Sequence, residues 1–318
     1  MEQVIMLIGF GLASYSVIAN DVIQTLGTFL SSNAKKPWLL LWSFAGTVLI
    51  VVLLAGWLMN EGDVTYGRLA LIPYPDKIQW WLILPPLALL LITQAGIPVS
   101  TTFMILSIFS TQQVIEKMVI KSITGYAVAF VTALLIYLLI ARSFEEKSSA
   151  DKAEVKKNRQ WWLVAQWFST GFLWAQWLIQ DFANIYVYLP RKLSLTELLV
   201  SLVFLLLLLA VVFRKKGGKI QNIVKRKTNS ANIRSATLID LSYGIVLYFF
   251  TVVSPIPMST TWTFVGILAG REYAITLLLK RHTINDTYKD IFRDLFKVNI
   301  GLAISIIIAM AIHYLRSV

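Results

Sequence analysis

The chain has 318 residues, 57% hydrophobic and 14% charged, with a net charge of +12 and a mean hydropathy of +0.68. Soluble domains carry about 25% charged residues, so this composition excludes a soluble globular protein. Several apolar runs of about 20 residues make it an all-α polytopic membrane protein in contact with a lipid bilayer. Cysteine is absent, which removes disulfides and thiolate chemistry.

In chain order, residues 4–30 form a first apolar segment that holds Asn20, Asp21 and Gln24. No Lys or Arg precedes Lys35, so this reads as a membrane helix and not a signal peptide. Lys35 and Lys36 separate it from a span at 38–58, opened by Trp38 and Trp42. A loop at 59–77 mixes Glu61, Asp63 and Asp76 with Arg68 and Lys77. The next segment, 78–111, is broken at Gly96-Ile97-Pro98, and a span near 122–142 comes after it. A charged linker runs from Ser143 to Gln160.

The second part repeats the plan. Residues 161–189 carry Gln180, Asp181 and Asn184, and a short turn with Pro190 leads into a Leu-rich span near 195–213. The loop 214–234 has eight basic residues and no acid. A second broken segment covers 237–270, a charged interfacial stretch 271–296, and a last span about 297–315. The predicted division is a first repeat at 1–142, a linker at 143–160 and a second repeat at 161–318.

Loop charge predicts orientation. The basic loop 214–234 is expected in the cytoplasm. Counting outward, with each broken segment returning to its own side, puts 190–194 outside, 143–160 inside, 59–77 outside and 31–37 inside, with both termini external. Each half then has an odd number of full spans. The expected fold is an inverted-topology repeat with a re-entrant hairpin in each half, a common plan of secondary transporters. Two full crossings per broken segment leave the parity unchanged, so hairpin and crossing stay equivalent at this stage.

Two motifs recur at nearly one period. Pro98-Val99-Ser100-Thr101-Thr102 returns as Pro257-Met258-Ser259-Thr260-Thr261, 159 residues later, and Asp21 returns as Asp181 after 160. Proline breaks a running helix and suits the first turn of a new one. Ser and Thr cap helix N-termini, where free N–H groups and the positive dipole end favour anions. The plain alternative is that Ser100 and Ser259 only cap. Ionisable groups inside apolar helices cost at least a few kcal/mol and normally face a polar cavity or a partner. The plain alternative for Asp21 and Asp181 is a polar network joining helices.

These residues resemble the inorganic phosphate transporter (PiT) family, whose members carry a duplicated Gly-Ala-Asn-Asp-Val-Ala-Asn and a duplicated Pro-Ile-Ser-Thr-Thr-His. The first motif reads Ile18-Ala19-Asn20-Asp21-Val22-Ile23-Gln24 here, and Gln180-Asp181-Phe182-Ala183-Asn184 in the second copy. Phe103 and Trp262 stand where the family has His, Gln24 and Gln180 replace two Asn, and Ala45 stands where family members often have Glu. The resemblance implies an oxyanion site formed by Ser100, Thr101, Thr102, Ser259, Thr260, Thr261, Asn20 and Asn184. It implies coupling-cation sites at Asp21, Asp181, Gln24 and Gln180.

The expected function is symport of inorganic phosphate with Na⁺ or H⁺, in a plasma or inner membrane, without any other cofactor or metal. No Lys or Arg occurs in 4–34, 81–115, 161–190 or 241–270, so bound cations are expected to balance the anion. Sulfate or another oxyanion as substrate, and a non-transporting structural or receptor protein, remain as alternatives, and a homodimer is left open. An enzyme is not expected. His282 and His313 lie outside the motifs, there is no phosphate-binding P-loop, and no nucleophile–base constellation is visible. The basic excess sits in loops, so no nucleic-acid partner is expected.

Overall fold

The computed structural model describes residues 1–75, 77–94, 99–141, 159–216, 233–279 and 284–317, and every regular element among them is helical. The helices are α1 (Glu2–Ser32), α2 (Trp38–Met59), α3 (Leu84–Gln94), α4 (Thr101–Leu106), α5 (Gln112–Ile136), α6 (Arg159–Tyr186), α7 (Leu195–Arg214), α8 (Ile233–Val253), α9 (Thr260–Leu279) and α10 (Ile284–Ser317). A 3₁₀ turn, Trp80–Ile83, leads into α3, and a π turn, Tyr137–Ala141, extends α5.

Among the described residues, six stretches are long and apolar enough to cross a membrane: Glu2–Val22, Trp38–Met59, Gln112–Leu139, Leu195–Arg214, Ile233–Val253 and Ile284–Ile312. Their outer faces are apolar. On α7, Leu199, Val203, Leu207 and Val211 form an exposed stripe at helical spacing. In water such a stripe is costly, whereas in hydrocarbon it is the natural surface. With the α-helical architecture, these spans make the chain an integral membrane protein. Helix α6 is too polar to count among the six, yet at 28 residues it is about 42 Å long.

Helices α1 and α6 pack antiparallel through the middle of the bundle. At one end the rings of Phe10 and Tyr186 lie 5.8 Å apart, and at the other Asn33 Nδ2 donates to Gln166 Oε1 at 3.0 Å. Helices α2 and α7 are likewise antiparallel: Trp42 Nε1 donates to Leu206 O at 3.0 Å, and Trp57 Nε1 to Leu193 O at 2.8 Å. The loops meet accordingly. Gly62 O accepts from Leu193 N, and Lys192 pairs with Glu61 at 2.7 Å, so 59–77 and 190–194 share one end. Ser32 and Asn33 meet Gln166 at the opposite end. Most of the basic loop (217–232) and of the linker (142–158) falls outside the described residues, as do Gly96, Ile97 and Pro98.

Helix boundaries differ from expectation in two places. Helix α5 begins at Gln112, not near 122, because Glu116 and Lys117 lie on its exposed first turns and do not interrupt it. The stretch 271–296 is not a separate interfacial element, since α9 runs to Leu279 and α10 starts at Ile284. Arg271 explains the first half of this. It is buried, lies 5.6 Å from the Tyr137 ring centroid and is 3.7 Å from Glu272, so helix packing absorbs its charge.

Helices α5 and α9 approach backbone to backbone. A Cβ on Gly266 would sit 2.5 Å from Tyr126 O, and one on Gly270 would sit 2.1 Å from Phe130 O. These two glycines, four residues apart, let the backbones approach as small-residue pairs do in membrane helices.

Candidate functional site

The second break is fully described. Helix α8 stops at Val253 and α9 starts at Thr260, with Pro255 and Pro257 between them. Pro255 disfavours helical backbone at Ser254, and neither proline can donate to a preceding carbonyl. Ser259 Oγ then accepts the Trp262 amide at 3.3 Å. In the first copy Ser100 is the N-cap of α4, and its Oγ accepts the Phe103 amide, also at 3.3 Å. Both serines therefore act as helix caps, and Ser259 N also donates to Ser122 Oγ at 2.9 Å. The two breaks open into helices of unequal length. Helix α9 has 20 residues, whereas α4 has six, too few to develop much of a dipole.

The capped turns aim their threonines at the aspartates. Thr101 Oγ1 donates to Asp21 Oδ2 at 2.6 Å, and Thr260 Oγ1 donates to Asp181 Oδ2 at 2.7 Å. Each link joins a triplet to the aspartate of its own half. The next threonine of each triplet crosses over: Thr102 Oγ1 donates to Met258 O at 3.1 Å and Thr261 Oγ1 to Val99 O at 3.4 Å. The two crossing bonds are reciprocal, since Val99 and Met258 occupy the same motif position.

Asparagines complete the network. Asn20 Nδ2 donates to Asp21 Oδ1 at 2.8 Å and Val99 O at 3.0 Å. Asn184 Nδ2 reaches Asp181 Oδ1 at 3.0 Å, Thr101 Oγ1 at 3.1 Å and Thr102 Oγ1 at 3.2 Å. The carbonyl oxygens of both amides, Asn20 Oδ1 and Asn184 Oδ1, are buried and accept no hydrogen bond. A buried unsatisfied acceptor is costly and calls for an explanation. Two of them beside two buried carboxylates, with the carbonyls of Val99 and Met258 close by, form an oxygen-rich donor set suited to a hard cation.

The motif glutamines do not join this network. Gln180 Nε2 donates to Thr251 Oγ1 at 2.9 Å and toward Leu247 O at 3.4 Å, both on α8. Gln24 is buried one turn beyond Asp21. The two halves thus use opposite motif positions, the residue before the aspartate in Asn20 and the third residue after it in Asn184. Asn20, Asp21, Thr101, Thr102, Asp181, Asn184, Thr260 and Thr261 are each 2% exposed or less, so the cluster is closed to solvent.

Four further polar residues surround it. Tyr243 of α8 donates its hydroxyl to Thr260 O at 2.8 Å. Asp240, two turns along α1 from the cluster, accepts from Thr28 and Thr170 at 2.5 Å each. Arg68 and Lys121 converge on the second break from segments outside it. Arg68 Nε donates to Ile179 O at 2.8 Å and its Nη1 reaches Ser254 O and Pro255 O at 3.4 Å. Lys121 Nζ donates to Ser254 O at 2.8 Å and Ile256 O at 2.5 Å. Burial pushes the Arg68 guanidinium down to about 10, with the opposing pull of the Asp181 charge, so it stays protonated near neutrality. The motif-bearing segments 4–34, 81–115, 161–190 and 241–270 hold no Lys or Arg, and folding brings two basic side chains to the second break from elsewhere, Arg68 from the 59–77 loop and Lys121 from α5. No sequence signal marked either residue beyond its charge.

No family model matches the chain, and no curated protein matches it. Among solved structures, a sodium-dependent phosphate transporter superposes with a TM-score of 0.64, covering 99% of both chains at 15% identity. The chain shares the fold of that structure. Shared architecture over the full length of both chains agrees with the motif resemblance, which rests on the same duplicated strings that build the cluster.

Proposed function

We propose that the chain is a secondary transporter that carries inorganic phosphate across the membrane together with Na⁺ or H⁺. The observation that carries this reading is the buried cluster. Two carboxylates from antiparallel helices are each bonded to the triplet of their own half, and two unpartnered amide oxygens stand beside them. Asp21 with Asn20, and Asp181 with Asn184, are the coupling-cation ligands. Thr101, Thr102, Thr260 and Thr261 face the anion and exchange their present bonds for its oxygens. Ser100 and Ser259 hold the turns that present them, and Trp262 adds a buried indole N–H without a partner.

Antiparallel α1/α6 and α2/α7 packing, and the reciprocal Thr102 and Thr261 bonds, support reading 1–142 and 161–318 as inverted repeats. On that reading the ends at 59–77 and 190–194 are external and the 31–37 end is cytoplasmic. Phosphate is preferred because the neighbour of like fold is a sodium-dependent phosphate transporter. Nothing in the cluster resembles a nucleophile–base pair, so the reading is transport and not catalysis.

The test is uptake of radiolabelled phosphate and of sulfate into proteoliposomes, with Na⁺ and pH gradients imposed in turn. Phosphate uptake driven by one gradient is expected. Uptake of sulfate alone would correct the substrate, and uptake of neither would leave a non-transporting membrane protein.

A further inference from the structure

Asp240 is a third buried carboxyl, and the cluster does not use it. It is 0% exposed and lies on α8, where α1 and α6 pack against that helix. Hydroxyls inside a helix commonly donate to the carbonyl one turn back, as Thr25 and Ser32 of α1 do. Thr28, between them, bonds Asp240 Oδ1 at 2.5 Å instead, and Thr170 of α6 bonds Oδ2 at the same distance. Both threonines are 1% exposed or less. Three helices thus meet on one carboxyl, and among the described residues no cation pairs with it. The other titratable groups on the helices packed against α8 are placed elsewhere. On α1, Asp21 lies about 10 Å along the helix from Thr28, and on α6, Asp181 lies about 16 Å from Thr170. At the end of α5 the Tyr137 hydroxyl donates to Ser235 O, while Lys121 is bonded at the far end of α8. On α9, Arg271 lies over the Tyr137 ring with Glu272 beside it. On α8 itself, Arg234 lies over the Trp162 ring and Tyr243 donates to Thr260 O.

An ionised carboxylate buried among hydroxyls and apolar side chains is heavily penalised. A metal ion or a proton can offset it, and the contacts distinguish the two. A metal site needs oxygens left over for the ion. The cluster has them in Asn20 Oδ1 and Asn184 Oδ1, whereas no side-chain oxygen of Asp240, Thr28 or Thr170 is without a partner. A proton needs no such vacancy. It turns one of the two bonds round, so that Asp240 donates to one threonine and accepts from the other. The hydrogen of the first threonine then turns to its own helix, as that of Thr25 does, and every group stays paired.

We infer that Asp240 is a proton-binding site separate from the cation cluster, and that its proton fastens α8 to α1 and α6. Ser32 and Gln166 lie one turn beyond Thr28 and Thr170 on the same helix faces and are bonded to each other. They continue the polar run from Asp240 to the 31–37 end, the side from which water supplies the proton. Tyr243 lies three residues beyond Asp240 on α8 and holds Thr260 O, so the seating of α8 also bears on the second triplet. Loss of the proton leaves an unpaired charge at the seam and loosens α8 from its two partners.

The experiment takes infrared spectra and melting temperature against pH, with and without Na⁺, for the purified full chain and for Asp240→Asn, Thr28→Val and Thr170→Val. Wild type should show a carboxylic-acid C=O band at neutral pH that Asp240→Asn lacks and that both Val variants shift. The native state holds a proton that the unfolded chain releases, so the wild-type melting temperature should fall as pH rises. Asp240→Asn keeps one donor and one acceptor without a titrating proton, and should lose that part of the fall while staying folded at neutral pH. A carboxylic-acid band unchanged in Asp240→Asn overturns the inference, because position 240 then carries no proton. Loss of a wild-type Na⁺ stabilisation in that variant also overturns it, since Asp240 would then be a metal ligand. If Asp240→Asn does not fold, the Val variants decide, and a band shifted in neither overturns the inference. No readout here needs transport, so a chain that carries no phosphate sinks the transport reading and leaves this result standing.

Discussion

The two broken segments share a Pro-x-Ser-Thr-Thr string and are built differently around it. The first places an 11-residue helix and a six-residue helix on either side, whereas the second has 21 and 20 residues. The second break is held by Arg68 and Lys121 and by the glycine contact of α9 with α5. In both, the serine caps and the following threonine reaches the aspartate of its own half at nearly the same distance. The comparison teaches that the short string determines local geometry, namely where a helix starts and which hydroxyl points inward. Strength and charge are set by the elements packed around it, and there the halves have diverged.

Several substitutions sharpen or break that comparison. The largest stability effect is expected at Gly270, where a β-carbon meets the Phe130 carbonyl. Gly270→Leu should cost about 3 kcal/mol, at the upper end for overpacking, measured as a fall in melting temperature in detergent. The first break has no such contact described, so a comparable loss from a bulky substitution on α4 would blur the distinction.

Thr101→Val and Thr260→Val come next. Each removes one hydroxyl bonded to a carboxylate, an interaction worth about 1.5–3 kcal/mol. Cation-dependent uptake should drop in both. The drop should be greater for Thr101→Val, because Asp181 keeps the Asn184 bond and the Arg68 charge, whereas Asp21 keeps only Asn20. Equal losses would show that the asymmetry has no functional weight.

Ser259→Ala should cost about 1 kcal/mol as a lost N-cap of a long helix. Ser100→Ala should cost less, since it caps a six-residue helix. Both variants should retain transport, and abolished uptake in either would return the serine hydroxyl to the anion site.

The smallest effect is at the Glu61–Lys192 pair, which ties the two loops at one end. Lys192 lowers the Glu61 carboxyl below its ordinary value. A lowered carboxyl stabilises the fold above its unfolded value and loses that contribution as pH falls through the folded one. The pair is fully solvated, so Glu61→Gln should leave the melting temperature unchanged within error at physiological salt.

Much of this was legible in the sequence. Asp21, Asp181 and the two triplets were marked by duplication inside apolar segments, and the structure brings them into one cluster. Most helix boundaries followed hydropathy, because membrane spans are governed by length and apolarity alone. Three features were not legible. The placement of Asn20 and Asn184 inside the cluster, with Gln180 turned to α8, depends on helix rotation, which motif alignment does not encode. The burial of Arg271 needed the Tyr137 ring, more than 100 residues away. Arg68 looked like an ordinary loop charge, and only tertiary packing carries it to Ile179 and the second break.

The central claim is that Asp21 and Asp181 hold the coupling cation, and melting temperature against Na⁺ concentration and against pH tests it most directly. A ligand present at a hundred times its dissociation constant stabilises the fold by about 2.7 kcal/mol, which a thermal scan resolves. Wild type should gain stability as the coupling ion rises. Asp21→Asn and Asp181→Asn should each flatten that rise while keeping or increasing the melting temperature in its absence, because a buried charge has been removed. A cation response identical to wild type in both variants would contradict the account.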